Sequence, residues 1–420
     1  MLEVQPWETQ MTDGIGVRPG PVAWTLLTMF MAAALGCGQD STSPDEPDLS
    51  SDLATVASGS LSFRQVSAGL HHTCGVTTDD RAYCWGYSGP WLGIGEIEQG
   101  PETCNTHPCA RRPTAVLGGL RFRQVSVGSE HSCGLTTVNR VYCWGRNESG
   151  QLGDGTQTSR TSPVPAGGTL RFRQVTAGGH QTCAITTTDV AYCWGLNSRA
   201  ELGDGTTINR LRPVRVAGGR LWRQLSASHG YTCGLTTADR AYCWGDNGRG
   251  TLGNGSTNRS LTPVAVAGGH FFRQIAAGPD HACAVARSYQ AYCWGSNTSG
   301  ALGDGTTTNR LTPTAVVSTR YYGQISAGFG HTCGVTRDGR GFCWGANGAG
   351  QLGNGANFRR ATSTPLGVKL QLALVSAGTG FTCGVTTGSQ AYCWGSNFYG
   401  QLGDGTDSDR PLPAAVVGPA

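Results

Sequence analysis

Cysteine has the clearest chemical potential in this chain of 420 residues, because fourteen of its seventeen cysteines stand in pairs ten positions apart. Zinc sites usually leave about two to four residues between paired cysteines and add further ligands, and these pairs lack both features. Cysteines directly opposite each other in an antiparallel hairpin approach closely enough for a disulfide. We therefore predict seven hairpin disulfides and an oxidising compartment. The pairs are Cys74 and Cys84, Cys133 and Cys143, Cys183 and Cys193, Cys233 and Cys243, Cys283 and Cys293, Cys333 and Cys343, and Cys383 and Cys393.

The other three cysteines have different surroundings. Cys104 and Cys109 lie close together in an insertion of the first repeat, and we predict that they close a small loop. Cys37 has no evident partner and follows an apolar run at residues 22–35, which is short for a transmembrane helix and suits a signal-peptide core. The ending Ala34-Leu35-Gly36-Cys37 resembles a bacterial lipobox, although Ala34 stands where leucine is usual. We predict lipidation of Cys37; cleaved export without a lipid and an uncleaved anchor are the alternatives.

The first sixty residues divide into a signal and a tether. Residues 1–37 are predicted to be the signal peptide, and residues 1–16, which are long and acidic for a leader, are interpreted as a misassigned start. Residues 38–60 are small, polar and acidic, so we predict a disordered tether. Residues 61–420 form the repeat domain. From residue 63 onward the net charge is +11, which favours anionic partners, unless it reflects arginine-rich codon usage and a solvated surface.

Histidine and aspartate recur at fixed places, where they would suit metal binding. The position two before each first cysteine holds His72, His131, Gln181, Tyr231, His281, His331 and Phe381. Because glutamine, tyrosine and phenylalanine replace histidine there, we interpret this position as a packing and hydrogen-bonding slot. The recurring Leu-Gly-Asp-Gly loops offer one acid each, whereas Ca²⁺ needs several oxygen ligands. We predict turn-capping aspartates, no metal site and no cofactor.

One arginine follows each of these loops, and together they form the candidate binding face: Arg160, Arg210, Arg259, Arg310, Arg360 and Arg410. A ring of guanidinium groups would bind carboxylates or phosphates bidentately. The alternative is that each arginine pairs with the aspartate of its own loop. We hypothesise that Arg210, Arg310 and Arg410 contact the partner, in which case their loss weakens binding and leaves stability intact.

Catalytic motifs are missing from the sequence, which has no G-x-S-x-G, no H-E-x-x-H and no phosphate loop. We therefore predict no catalytic residue and no enzymatic activity. The one break in the regular pattern is the insertion at residues 94–112. It is either a site of unique contact or a neutral expansion of a loop.

The elements that position these residues follow a strict period. The tryptophan of each Tyr/Phe-Cys-Trp-Gly motif recurs after 59 residues once and then after every 50, from Trp85 to Trp394. Such a period indicates an array or a propeller. Each unit has four extended pieces, of which two form the cysteine hairpin. Because the Ala-Gly-Gly turn is short, we predict blades that begin with the Pro-Val-x-Val piece of the preceding repeat. Residues 412–417 would then pair with the first hairpin and close the ring.

The pattern His-x-Cys-x-Val-x-x-Asp-Gly-x-x-Phe/Tyr-x-Trp-Gly-x-Asn-x-x-Gly-Gln-Leu-Gly resembles the regulator-of-chromosome-condensation repeat, most closely at residues 331–353 and 383–403. The resemblance covers residues 61–417 and implies an all-β, seven-bladed β-propeller with four-stranded blades, closed by its N- and C-terminal strands. Eukaryotic members of the family are nuclear nucleotide exchange factors for a small GTPase. A secreted bacterial member binds β-lactamase with one face of the ring, and that precedent fits an exported chain best.

We therefore predict an exported, lipid-anchored propeller that binds a protein or an anionic envelope polymer and is not a nucleotide exchange factor. We expect a monomer at the outer membrane or cell surface, or otherwise in the periplasm or medium. Its contact with the membrane would be the lipid anchor, and we expect no nucleic acid partner. The alternative is a secreted hydrolase or lyase that uses the central pocket of the propeller.

Overall fold

The structure of the chain, a computed structural model, describes residues 61–95 and 102–419, which form seven antiparallel sheets arranged as the blades of a propeller. The predicted all-β propeller fold is thus confirmed. The innermost strands are Phe63–Ala68, Phe122–Val127, Phe172–Ala177, Trp222–Ala227, Phe272–Ala277, Tyr322–Ala327 and Leu372–Ala377. The second strands are His72–Thr77, His131–Thr136, Gln181–Thr186, Tyr231–Thr236, His281–Ala286, His331–Thr336 and Phe381–Thr386.

The outer half of each blade holds the tryptophan strand and an edge strand. The third strands are Ala82–Tyr87, Val141–Gly145, Ala191–Gly195, Ala241–Gly245, Ala291–Gly295, Gly341–Gly345 and Ala391–Gly395. The outermost strands are His107–Ala115, Arg160–Ala166, Arg210–Arg215, Ser260–Ala265, Arg310–Ala315, Arg360–Pro365 and Arg410–Ala415. Blade 1 adds a short 3-10 turn, Pro90–Leu92, and a fifth strand, Glu102–Cys104. The described residues contain no helix that is long and apolar enough to cross a membrane.

The predicted blade boundaries are wrong. Each Pro-Val strand pairs with the tryptophan strand of its own repeat, as Val214 does with Cys193, so blades coincide with sequence repeats. The long loop that precedes this strand does not cross to the next blade. It packs between blades instead: Leu202 is fully buried beside Trp244 of the following blade. The length of the loop therefore reflects packing, and the short Ala-Gly-Gly turn connects neighbouring blades.

The predicted closure by terminal strands is also wrong, since the last strand, Arg410–Ala415, pairs within blade 7 and the first strand pairs within blade 1. Blade 7 meets blade 1 through the contacts that join the other blades. The indole N–H of Trp85 donates to the carbonyl of Gln401 at 3.0 Å, just as Trp194 donates to Gln151. The tryptophans therefore pack between blades, as the sequence predicts, and they close the ring without strand exchange.

Glutamines on the innermost strands link successive blades around the axis. Gln174, for example, donates to the carbonyl of Leu225 at 2.9 Å and accepts from the N–H of the same residue. The series runs unbroken from Gln65 to Gln324 and stops at Leu374, the corresponding residue of blade 7. The channel retains a cavity of about 100 Å³ at one mouth, lined mainly by small residues.

The strand directions give the ring two unlike faces. One face carries the channel-mouth turns and the long loops, such as residues 196–209, and we call it the long-loop face. The other carries the tips of the cysteine hairpins, such as residues 187–190, and the turns between blades; we call it the hairpin face.

Candidate functional site

Sixteen cysteines form eight disulfides in the predicted pairing, including the small loop Cys104–Cys109. In each hairpin the two cysteines are directly opposed, as Cys183 is to Cys193, and both are buried. Cys37, the predicted lipidation site, lies outside the described residues, as do the predicted signal peptide and tether.

The histidines of the recurring slot are buried hydrogen-bonding groups. His131 Nε2 lies 2.9 Å from the hydroxyl of Thr182 in the next blade, and His281 makes the same contact with Thr332 at 2.7 Å. Burial lowers the pKa of His131 and His281 to about 3, so both are neutral at physiological pH. Within the described residues no group of three or more histidine, cysteine or acidic side chains is placed to hold a metal ion.

Asparagine and aspartate organise the long loops. The amide of Asn197 donates to Asp204 at 3.1 Å and to two loop carbonyls, while its oxygen accepts from the N–H of Leu202. Asp204 in turn accepts from the N–H and hydroxyl of Thr206. Burial alone would raise the pKa of Asp204, but the hydrogen bonds from Thr206 and Arg210 outweigh it and hold that pKa below its ordinary value. These are the predicted turn caps.

Four of the six arginines of the candidate binding face pair with the aspartate of their own loop. The ion pairs are Arg160–Asp154, Arg210–Asp204, Arg310–Asp304 and Arg410–Asp404, at 2.7–3.3 Å. Their carboxylates are 2–10% exposed, whereas the guanidinium side chains are 33–41% exposed. Where asparagine replaces the aspartate, Arg259 donates to a loop carbonyl and Arg360 stacks on Phe358. The structure favours the pairing alternative for this ring.

The positive charge of the domain is concentrated on the opposite side of the ring. Among the described residues the hairpin face carries seventeen basic and five acidic side chains, a net charge of +12. The long-loop face carries thirteen arginines and twelve acids, a net charge of +1. The basic residues of the hairpin face are Arg64, Arg81, Arg121, Arg123, Arg140, Arg171, Arg173, Arg215, Arg220, Arg223, Arg240, Arg273, Arg287, Arg320, Arg337, Arg340 and Lys369.

A cleft of about 610 Å³ opens on the long-loop face beside the channel mouth, around blades 3 to 6. Two ion pairs from neighbouring blades border it, Arg199–Asp246 at 3.0 Å and Arg249–Asp280 at 2.9 Å. Phe329 also lines the cleft and is 51% exposed. Arg199 and Arg249 occupy matching positions of neighbouring repeats, but Asp246 and Phe329 have no residue of the same type at the matching positions of the other repeats. The cleft therefore breaks the symmetry of the ring.

The insertion of the first repeat packs on blade 7. Its Asn105 donates to the carbonyl of Phe398 at 3.0 Å, and Arg111 pairs with Asp407 at 3.0 Å. Tyr399 packs against the rings of Tyr87 and His107, with centroid distances of 4.8 and 5.4 Å. The described part of the insertion therefore reinforces the seam between the first and last blades.

Glu201 is a residue that the sequence reasoning missed. Its side chain is fully buried, one oxygen accepts from the N–H of Arg199 at 2.6 Å, and the other has no hydrogen-bond partner among the described residues. Burial raises its pKa to about 7. The signal was present in the sequence, since the matching residue is glutamine, threonine or alanine in the repeats from the second to the seventh. Because Glu201 has no exposed surface, it does not present an acid to a ligand in the cleft.

Comparison with known families assigns the chain. The profile of the RCC1-like domain matches residues 31–320, and the regulator of chromosome condensation repeat matches residues 324–351, 373–401 and 389–420. Among curated proteins, the ultraviolet-B receptor UVR8 of Arabidopsis thaliana is 33% identical over 99 residues. That match covers 24% of this chain and 21% of the receptor.

Two solved structures show the same fold. The structure of Prp20p from Saccharomyces cerevisiae, described with its binding to Gsp1p and histones, has a TM-score of 0.69 at 20% identity and covers 85% of this chain and 87% of that one. The CRINKLY ectodomain of the Arabidopsis thaliana receptor kinase ACR4 has a TM-score of 0.52 at 20% identity and covers 86% and 99%. The chain belongs to the RCC1-like domain family.

Proposed function

We propose that this member of the RCC1-like domain family is an exported, non-enzymatic module that binds another protein on its long-loop face and is not a nucleotide exchange factor. Eight disulfides support a location outside the reducing cytosol. The fold also serves as the ectodomain of a plant receptor kinase. The partners named for Prp20p, Gsp1p and histones, belong to that protein and are not assigned here.

The proposed anchor is a lipid on Cys37, which would hold the propeller at the outer membrane or cell surface. Conversion of Cys37 to Ser should abolish incorporation of radiolabelled palmitate and release the protein from the membrane fraction. Unchanged labelling and fractionation of the C37S variant would reject the anchor and leave the binding proposal standing.

The observation that carries the binding proposal is the asymmetric cleft beside the channel mouth. Protein interfaces combine a desolvated aromatic anchor with a rim of charges of both signs. Phe329, 51% exposed, supplies the anchor, and the pairs Arg199–Asp246 and Arg249–Asp280 supply the rim. The local charge is balanced, so the cleft suits a protein surface better than a polyanion.

The experiment is affinity capture from envelope extracts with the full, disulfide-bonded chain, followed by binding measurements with the identified and purified partner. Phe329→Ala should weaken binding by about tenfold or more, because hot-spot aromatics contribute about 2 kcal/mol or more. Ile208→Ala is the matched control: Ile208 is 61% exposed on the same face, in the outer part of a long loop, and its loss should change affinity less than twofold, by about 0.4 kcal/mol at most. Equal affinities of the two variants for the purified partner would reject the cleft as the docking site.

A further inference from the structure

The hairpin face of blade 6 holds a cavity of about 400 Å³ that lies on the opposite side of the ring from the cleft. Its lining includes Arg320, Arg337 and Arg340 together with Asp338 and the 62% exposed Tyr321. We propose that this cavity, the arginine pocket, binds an acidic polysaccharide: the guanidinium groups take a sulfate or carboxylate group of the polymer, and a sugar ring lies against Tyr321.

Two of the three guanidinium groups are held in place by aromatic rings. The guanidinium carbon of Arg320 lies 4.1 Å from the centroid of Phe342, and that of Arg337 lies 4.4 Å from the centroid of Tyr289. A stacked guanidinium keeps its N–H groups in its own plane, where they can donate two parallel hydrogen bonds to an oxyanion. The stacking therefore fixes the orientation of both donors before a ligand binds.

The charges of the pocket are available to a ligand. Within the described residues neither Arg320 nor Arg337 forms an ion pair. Arg340 pairs with Asp338 at 2.8 Å, but these side chains are 60% and 57% exposed. Exposed ion pairs are weak because solvent screens them, so an anionic ligand can replace the aspartate at little cost.

The same arrangement continues across the neighbouring blades, which favours a polymer over a single anion. Phe271 in the turn leading into blade 5 lies beside the guanidinium groups of Arg240 and Arg287, at 3.8 and 4.9 Å. Tyr289 is contacted by Arg273 at 4.1 Å as well as by Arg337. A chain of repeated negative charges would contact several of these groups at once and gain from their combined effect.

Polysaccharide is favoured over the other polyanions by two observations. Guanidinium groups lie over the rings of Phe271 and Tyr289 and reduce the apolar surface that insertion into an anionic membrane would use, although Phe271 remains 42% exposed. The eight disulfides support an oxidising, extracytoplasmic location, away from the nucleic acid of the cytosol.

The test measures binding of the full, disulfide-bonded chain to immobilised heparin and polygalacturonate over a series of salt concentrations. The variant R320A/R337A/R340A should lose about tenfold or more in affinity and show a weaker salt dependence, because three charged contacts are removed. The matched control R112A/R212A/R359A removes the same charge from exposed arginines of the long-loop face and should lose less than about twofold. Tyr321→Ala should weaken binding and leave the salt dependence unchanged.

Three outcomes would overturn the proposal. Equal losses of affinity in the two triple variants would show that binding depends on net charge alone. Failure of the wild-type chain to bind either polysaccharide would show that the pocket does not take this class of ligand. Tighter binding of double-stranded DNA or of phosphatidylglycerol vesicles, lost in R320A/R337A/R340A, would assign the pocket to another polyanion. Phe329→Ala leaves this face unchanged and should bind both polysaccharides as the wild type does, so the two proposals fail independently.

Discussion

The two faces of the ring use arginine in opposite ways. On the long-loop face eight of the thirteen described arginines form ion pairs, and the partner carboxylates of the recurring loops are nearly buried, at 2% for Asp204 and 3% for Asp304. On the hairpin face seven of sixteen arginines form ion pairs, and the acids are more exposed, as at Asp79 and Asp338. The first face neutralises its charge internally, while the second presents it to solvent.

This difference separates structural residues from candidate binding residues. The arginines that recur at one position of nearly every repeat, such as Arg210 and Arg310, serve the loop that each repeat must build. Some arginines of the hairpin face also recur, such as Arg173, Arg223 and Arg273 on the innermost strands. Arg320 and Arg337 recur less, since each has an arginine at the matching position of one other repeat, Arg220 and Arg287 respectively. In a repeat protein, periodicity therefore indicates structure, and departures from it indicate where function can reside.

The largest expected effect distinguishes the two faces by stability. R210A/R310A/R410A leaves three nearly buried aspartates without their cationic partners, and we expect it to lower the free energy of unfolding by about 3–6 kcal/mol. R320A/R337A/R340A removes exposed groups and should cost about 2 kcal/mol or less. Urea unfolding of the oxidised chain measures both.

A larger loss of unfolding free energy in R320A/R337A/R340A than in R210A/R310A/R410A would contradict the contrast drawn between the two faces. If R210A/R310A/R410A unfolds at the wild-type urea concentration and binds the partner poorly, the recurring arginines are contacts, and the hypothesis drawn from the sequence holds. Asp204→Ala serves as an independent control, because it removes the same ion pair from the acidic side together with the bonds to Thr206.

Much of the fold was predictable because the determinants are local and repeated. The cysteine spacing predicted the hairpin register, in which Cys183 lies opposite Cys193. The position two before the first cysteine of each hairpin, which holds His131 or Gln181, was predicted to form hydrogen bonds, and it does. Blade boundaries were not predictable in this way. Loop length alone allows the outermost strand to pair within its own repeat or with the following repeat. The long loop is needed to place Leu202 between blades, so its length does not indicate a crossing to the next blade.

The site was less predictable, because it depends on which face each residue reaches. The sequence reasoning placed the candidate binding face at the recurring arginines, whereas the structure places most of the net positive charge on the hairpin face. Long-range neighbours produce that result. Arg240 and Arg287 lie on Phe271 in the turn between their hairpins, and nothing in their spacing along the chain indicates that contact.

A smaller effect concerns the buried acid of the long-loop side. The pKa of Glu201 in the folded protein, about 7, lies above the ordinary value of 4.5, so folding favours its protonated form. Its contribution is fully favourable below about pH 4.5 and is lost as the pH rises through 7. Glu201→Gln supplies the amide found at Gln151 and should raise the free energy of unfolding at pH 8 by about 2–3 kcal/mol.

At pH 4.5 the same substitution should change stability little, because Glu201 is then neutral in the folded protein. Differential scanning calorimetry from pH 4.5 to pH 8 measures the curve. If the stability of Glu201→Gln depends on pH in parallel with that of the wild type, the carboxyl group does not titrate in this range. Burial of a charged Glu201 would then not destabilise the long-loop side.

The smallest effect tests the comparison at the level of a single ion pair. Arg410–Asp404 and Arg340–Asp338 have similar lengths, 2.7 and 2.8 Å, but the carboxylates are 5% and 57% exposed. Solvent screening reduces the coupling of the exposed pair, so a double-mutant cycle should give a smaller coupling energy for Arg340–Asp338 than for Arg410–Asp404. The buried pair should give about 1–2 kcal/mol, because Asp404 also accepts from Thr406 and is held in place.

Raising the salt concentration should abolish the coupling of Arg340–Asp338 and leave most of the coupling of Arg410–Asp404. Equal couplings at low salt would mean that exposure does not distinguish the faces, and the arginines of the pocket would then be no freer to bind a ligand than those of the loops.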